Sequence, residues 1–121
     1  MKILIVGGTG LISTPLTRLL LERGDEVVHY NRGQRSSRLP AGLPAPRVIT
    51  GDRTNHAGFE KQVADGGPFD VVIDMVCYEP AEAASQVYAV RGGRSHLGVC
   101  STVDGYPNPP AGFPITESAP V

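Results

Sequence analysis

The chain has 121 residues, which is enough for one compact domain with its own core. Hydrophobic residues make up 40% and charged residues 19%, and the net charge is -1, so composition favours neither a nucleic-acid-binding nor a membrane protein. No apolar run approaches the roughly 20 residues of a membrane span. The three histidines are scattered without the spacing of metal ligands, so no metal site is expected. Cys77 and Cys100 are predicted to be reduced thiols of a cytoplasmic protein.

The chain begins with a predicted strand, Lys2–Val6, followed by a glycine-rich loop and a helix. Glycines let the backbone turn sharply and approach a pyrophosphate, while free N–H groups at a helix start bind the anion. A strand, a glycine loop and a helix in this order therefore predict a dinucleotide-binding turn. The loop residues predicted to contact the cofactor are Gly7, Gly10, Leu11 and Ile12.

The helix after the loop is expected to end at Gly24 and to bury Ile12, Leu16, Leu19 and Leu20 on one face. Residues 31–46 contain three prolines and two glycines and are predicted to be an irregular crossover. The remaining predicted elements are strands Glu26–Tyr30, Arg47–Thr50, Phe69–Met75 and His96–Ser101, and helices His56–Ala64 and Ala81–Arg91. This alternation predicts one α/β domain over residues 1–121, a doubly wound, Rossmann-like parallel sheet of five strands ordered 3-2-1-4-5.

Ligands of such sheets bind at the carboxyl ends of the strands, so the residues there are the candidate site. Strand 2 ends with Asn31 and Arg32, where an NAD site usually has an acid for the ribose 2′-hydroxyl. No acid lies between Glu26 and Asp52, whereas four arginines do. A guanidinium suits a 2′-phosphate, which favours NADP over NAD; the alternative is that these arginines are solvated loop residues.

Strands 3 and 4 also end in residues that could face a cofactor. Asp52 could accept a hydrogen bond from an adenine amino group, or it could be a turn residue. Asp74 is expected to be structural, and Cys77 is expected to be a core thiol because no histidine partner is evident. The other candidate cofactor contacts at these ends are Arg53, Met75 and Val76. After strand 5, the hydroxyls of Ser101 and Thr102 would lie near a nicotinamide, or they could satisfy the loop backbone.

Taken together, these motifs resemble the extended short-chain dehydrogenase/reductase family of NAD(P)-dependent epimerases, dehydratases and reductases. Residues 7–12, Gly-Gly-Thr-Gly-Leu-Ile, resemble its glycine fingerprint, and Gly51-Asp52-Arg53 resembles its adenine contact. Residues 101–106 and 114–117 resemble two later segments of the family. The resemblance implies that Thr102 is the catalytic hydroxyl, that the cofactor is NADP or NAD, and that the substrate is a sugar nucleotide or a related small molecule.

The chain departs from the family pattern at two places. Ser13 replaces the third fingerprint glycine, and binding is expected to survive this small change. No tyrosine is followed four residues later by a lysine, so the proton-donating Tyr-x-x-x-Lys motif is absent. The sequence is therefore expected to be either the cofactor-binding part of a longer enzyme or a shortened relative, with a sheet edge that another copy or a partner chain completes.

Two further functions remain open at this stage. One is a non-catalytic dinucleotide-binding sensor or interaction module. The other is RNA binding through the arginine-rich stretch, since a branch of the family with Asn-Arg-Gly after strand 2 includes RNA-binding proteins. The near-neutral charge and the lack of interleaved aromatic residues make nucleic acid the weakest of these alternatives.

Overall fold

A computed structural model describes residues 1–35, 38–102 and 118. It contains five strands and three helices, in the order β1 Lys2–Val6, α1 Ser13–Glu22, β2 Glu26–Asn31, β3 Arg47–Thr50, α2 His56–Gly66, β4 Val71–Asp74, α3 Pro80–Val90 and β5 His96–Val99. The strands form one sheet in the order β3-β2-β1-β4-β5, and every neighbouring pair is parallel. The predicted fold class and strand order are therefore confirmed. No helix of the described part of the chain is long and apolar enough to cross a membrane.

The core lies on both faces of the sheet, because alternate residues of the central strands point to opposite sides. One cluster packs beneath α2 and α3 and consists of Leu4, Val6, Val28, Tyr30, Phe59, Val63, Phe69 and Val72. The other packs beneath α1 and consists of Ile3, Ile5, Leu20, Leu21 and Val27, with Leu39 and Leu43 of the irregular β2–β3 connection against it. Residues 32–35 and 38–46 of that connection contain no helix, as predicted.

The predicted buried face of α1 is wrong for Ile12 and Leu19, which are 61% and 58% exposed. The helix instead turns two small hydroxyl residues, Ser13 and Thr17, towards the sheet together with Leu20 and Leu21. Neither Ser13 nor Thr17 was among the residues predicted for this face. They can be buried because each finds a hydrogen-bond partner.

The other element boundaries agree with the predictions to within a few residues. Strands β4 and β5 are shorter than expected, since Phe69 is buried but lies outside the ladder, and Cys100 continues β5 by a single backbone bond to Asp74. Helix α2 is capped by the Asn55 side chain, and α3 starts at Pro80. Gly24, at φ +89°, ends α1 in the left-handed conformation that glycine adopts most easily.

Candidate functional site

The loop between β1 and α1 turns at Gly7, whose φ is +83°. A Cβ at this position would lie 2.9 Å from Cγ1 of Val76, so a side chain would both strain the backbone and meet the end of β4. The Gly7 N–H donates to the carbonyl of Tyr30 at 2.9 Å, which ties the loop to β2. Gly7 is therefore required for the turn and for the close approach of three strand ends.

The loop and the start of α1 leave a group of backbone donors unused. The N–H groups of Gly8, Thr9, Leu11 and Ile12 donate no hydrogen bond to another described residue. No side chain caps the helix, and its first turn contains no acid. Unused N–H groups at the positive end of a helix dipole are suited to bind an anion such as a pyrophosphate.

The buried side chain of Ser13 forms hydrogen bonds to both ends of this loop. Its Oγ donates to the Gly7 carbonyl at 2.8 Å and accepts from the Gly10 N–H at 2.7 Å. The hydroxyl thus joins the two ends of the loop. From the sequence, Ser13 was expected only to be a small replacement for glycine. The sequence offered no signal for this contact, because it depends on the three-dimensional course of the loop.

His29 packs against this loop and was not among the predicted site residues. Its imidazole is fully buried beneath the loop, and its Nε2 lies 2.9 Å from Thr17 Oγ1. Burial lowers the pKa of His29 to about 4, so the ring is neutral near pH 7. A histidine between the buried residues Val28 and Tyr30 of β2 was the one signal that the sequence carried.

A cavity of about 400 Å³ opens beside the loop at the carboxyl ends of β1 to β4. It brings together most of the predicted contacts of a dinucleotide's adenosine half. Its lining residues are Gly7, Thr9, Gly10, Tyr30, Asn31, Arg32, Gln34, Arg35, Gly51, Asp52, Arg53, Thr54, Val76, Tyr78 and Glu82. The cavity therefore joins the start of α1 to the polar ends of β2 and β3.

The end of β2 presents donors to this cavity. Asn31 Oδ1 accepts the Gly33 N–H at 2.9 Å, which fixes the orientation of the amide and leaves its NH2 group as the available end. Arg32 and Arg35 are exposed on the cavity wall, and the Arg32 side chain forms no hydrogen bond to a described residue. This wall is thus made of donors and positive charge.

Asp52, at the end of β3, places a carboxylate on the cavity wall. One oxygen, Oδ1, accepts from the N–H and the hydroxyl of Thr54, at 2.9 and 2.7 Å. These bonds are the main reason why the pKa of Asp52 is lowered, and the positive charge of Arg32 adds to the effect. The other oxygen remains available to an amino group. Gly51 must be glycine, because a Cβ there would meet the hydroxyl of Tyr30.

Arg53, a predicted cofactor contact, lines the cavity and is also held by contacts within the core. Its side chain is buried, forms an ion pair with Asp74 at 3.0 Å and donates to the Glu82 carbonyl. Its guanidinium lies 4.0 Å from the centre of the Phe59 ring. Arg53 therefore closes the floor of the cavity as part of the core, which leaves one nitrogen, Nη1, without a partner among the described residues.

Asp74 and Glu82 shape the loop that follows β4. Asp74 Oδ1 accepts the Val76 N–H at 2.9 Å, and Glu82 Oε2 accepts the N–H groups of Tyr78 and Glu79. The structural role expected of Asp74 is in accord with these contacts. The loop then places Val76 against Gly7 and the exposed ring of Tyr78 at the cavity mouth.

Four of the predicted site residues do not line this cavity. Leu11 is 93% exposed, Ile12 lies beside it, and Met75 packs with the cluster beneath α1. Thr102 is exposed just after β5. The segments 103–106 and 114–117, on which part of the family resemblance rests, lie outside the described residues.

The two cysteines are free thiols in the structure. Cys77 is half-buried beyond the end of β4, and burial together with the nearby Asp74 carboxylate raises the pKa of its thiol. A raised pKa disfavours the thiolate, so Cys77 is poorly suited to act as a nucleophile.

Comparison with known proteins shows the family of the chain. A model of the NAD dependent epimerase/dehydratase family matches residues 3–119. The 2'-dehydrokanamycin reductase of Streptomyces kanamyceticus is 31% identical over 118 residues, which are 98% of this chain and 32% of the relative. The chain thus spans about a third of the length of that curated relative.

Solved structures share the fold at low sequence identity. The UDP-glucose 4-epimerase of Bifidobacterium longum, in complex with NAD+ and UDP, superposes with a TM-score of 0.80 at 21% identity, over 99% of this chain and 42% of that one. The UDP-Glc/GlcNAc 4-epimerase of Campylobacter jejuni superposes with a TM-score of 0.81 at 18% identity, over 98% and 42%.

Proposed function

Because the chain belongs to the NAD-dependent epimerase/dehydratase family, we propose that it binds NADP(H) in preference to NAD(H) and supplies the cofactor-binding part of an epimerase, dehydratase or reductase. The observation that carries the proposal is the set of unused N–H groups at the start of α1, beside a cavity with arginines on its wall. A pyrophosphate would accept from the N–H groups, and the adenosine would enter the cavity.

The preference for NADP is supported by the end of β2. An acid there would accept from both ribose hydroxyls and repel a phosphate, whereas Asn31 presents its NH2 group and Arg32 adds a positive charge. Asp52 stands across the cavity and is the proposed partner of the adenine amino group. These residues fit an adenosine that carries a 2′-phosphate.

The proposed substrate is a sugar nucleotide or a related small molecule. The similar structures named above are epimerases of UDP-sugars, and the curated relative is a reductase, which supports this class. The bound nicotinamide would supply or accept a hydride. Thr102 is the proposed hydroxyl that orients the substrate oxygen, as the family resemblance implies.

Calorimetric titration of NADP+ and NAD+ tests the cofactor assignment. A hydrogen bond between charged groups contributes about 1.5–3 kcal/mol, so Arg32→Ala is expected to weaken NADP+ binding by about 10- to 100-fold and to leave NAD+ binding nearly unchanged. Asn31→Asp should shift the preference towards NAD+. Arg38→Ala is the matched control, because Arg38 is exposed in the same connection but does not line the cavity. Equal affinity of the wild type for both cofactors would contradict the assignment.

A further inference from the structure

A chain of buried hydrogen bonds runs beneath the glycine loop from β2 to α1. His29 Nε2 lies 2.9 Å from Thr17 Oγ1, and Thr17 Oγ1 donates to the Ser13 carbonyl at 2.7 Å. Ser13 Oγ then bonds the Gly7 carbonyl and the Gly10 N–H. All three side chains are at least 99% buried. We call this set the His29–Thr17–Ser13 chain.

The direction of these bonds determines the state of the histidine. Thr17 has one hydroxyl hydrogen, which it donates to the Ser13 carbonyl, so Thr17 Oγ1 must accept from His29 Nε2. His29 therefore carries its proton on Nε2. Its Nδ1 has no partner among the described residues. A second proton on Nδ1 would find no acceptor there, so the neutral ring is the form that fits the structure.

The same ring explains why residue 8 is glycine. A Cβ at Gly8 would lie 2.4 Å from both Cγ and Cδ2 of His29, which no real contact tolerates. The φ of Gly8 is not positive, so backbone strain does not require glycine at this position. The His29 ring therefore leaves no room for a side chain at residue 8.

We propose that the His29–Thr17–Ser13 chain holds the loop in its anion-binding conformation, which makes His29 a positioning residue for dinucleotide binding. The proposal rests on the proposed function. Because Ser13 engages the Gly10 N–H, the donors that remain for the pyrophosphate are those of Gly8, Thr9, Leu11 and Ile12. Loss of the chain would free the Gly10 N–H and release Ser13 from the loop.

Two replacements of His29 separate the effect of its hydrogen bond on NADP+ binding from the effect of its size. His29→Leu keeps a buried side chain but loses the donor, and we expect NADP+ to bind about tenfold more weakly. His29→Gln can still donate to Thr17 and should bind within about threefold of the wild type. Thr17→Val removes the same link with little change in volume and should weaken binding as His29→Leu does. Wild-type affinity in both His29→Leu and Thr17→Val would overturn the proposal.

A substitution that destabilises the core far from the glycine loop is the control for this experiment. Val63 is buried beneath α2 on the opposite face of the sheet, so Val63→Ala should lower the melting temperature and leave the NADP+ affinity unchanged. If Val63→Ala loses as much NADP+ affinity as His29→Leu, the weaker binding results from lower stability alone, and the proposal is overturned.

A second experiment tests the contact between Gly8 and His29. Gly8→Ala should weaken NADP+ binding at least tenfold in the wild type, but much less in a His29→Ala background, where the ring that meets the methyl group is absent. If Gly8→Ala costs the same affinity in both backgrounds, the methyl group meets the ligand and not His29, and the proposed role of the ring is wrong.

Hydrogen exchange distinguishes this proposal from the proposed function. If the wild type binds neither dinucleotide, the proposed function fails, but the Gly10 amide still reports on the loop because Ser13 accepts its hydrogen. Slow exchange of that amide in the wild type and His29→Gln, and exchange at least tenfold faster in His29→Leu, would support the positioning role. Equal exchange in all three proteins would overturn it.

Discussion

Asp74 at the end of β4 is fully buried, and its partner Arg53 is nearly so. Removal of one member of a buried ion pair leaves an uncompensated charge and costs about 3–5 kcal/mol. Asp74→Asn should therefore lower the free energy of unfolding by about 3 kcal/mol or more in chemical denaturation. Lys61→Ala, which breaks the exposed Lys61–Asp65 pair, should cost less than about 1 kcal/mol. A small effect of Asp74→Asn would show that the pair contributes little.

The buried imidazole of His29 predicts a stability that falls in mild acid. The pKa of His29 is 6.5 in the unfolded chain and about 4 in the folded protein, so the unfolded state binds more protons between these values. The free energy of unfolding should fall as the pH drops from about 6.5 to about 4, by about 3 kcal/mol at most. Denaturation of the wild type and His29→Gln across this range isolates the contribution, and parallel pH profiles would contradict it.

At the scale of the elements, the start of α1 provides a test that leaves the fold intact. Leu11 is exposed beside the unused N–H groups, so the carboxylate of Leu11→Asp would compete for these donors and repel a pyrophosphate. We expect NADP+ to bind about tenfold more weakly, with an unchanged melting temperature. Leu19→Asp is the matched control, because Leu19 is exposed on the same helix but lies farther along it. Equal losses in both variants would contradict a local effect at the loop.

The order and bounds of the strands and helices were predictable, because apolar periodicity and the positions of glycines depend on the local sequence. The bounds of β1 and β3 were predicted correctly, and those of α3 within one residue. The face of α1 was not predictable, since Ser13 and Thr17 are hydroxyl residues whose burial depends on partners elsewhere. The core contacts of Arg53 were not predictable for the same reason, because its partner Asp74 lies far away in sequence.

At the scale of the whole molecule, the sequence lacks a Tyr-x-x-x-Lys pair to move a proton. Acid–base catalysis of this kind contributes on the order of 100- to 10,000-fold to a rate. The polypeptide of residues 1–121 is therefore expected to bind NADP(H) without catalysing hydride transfer at a measurable rate. Absorbance of the reduced nicotinamide, followed with UDP-sugars and related carbonyl compounds, checks this. Turnover that Thr102→Ala does not affect would show that the catalytic residues lie elsewhere.

The outer edge of the sheet is expected to bind another chain. Strand β5 pairs with β4 on one side only among the described strands, and Leu97 and Val99 are 41% and 50% exposed. An unpaired strand edge with exposed apolar residues is a template for further pairing. Sedimentation should therefore show an average mass that rises with protein concentration. Leu97→Lys, which places a charge on this edge, should reduce the association, whereas Val48→Lys on the opposite edge strand β3 serves as the comparison. A mass that stays at that of the monomer over the whole concentration range would contradict the prediction, and an equal effect of Val48→Lys would assign the association to the other edge.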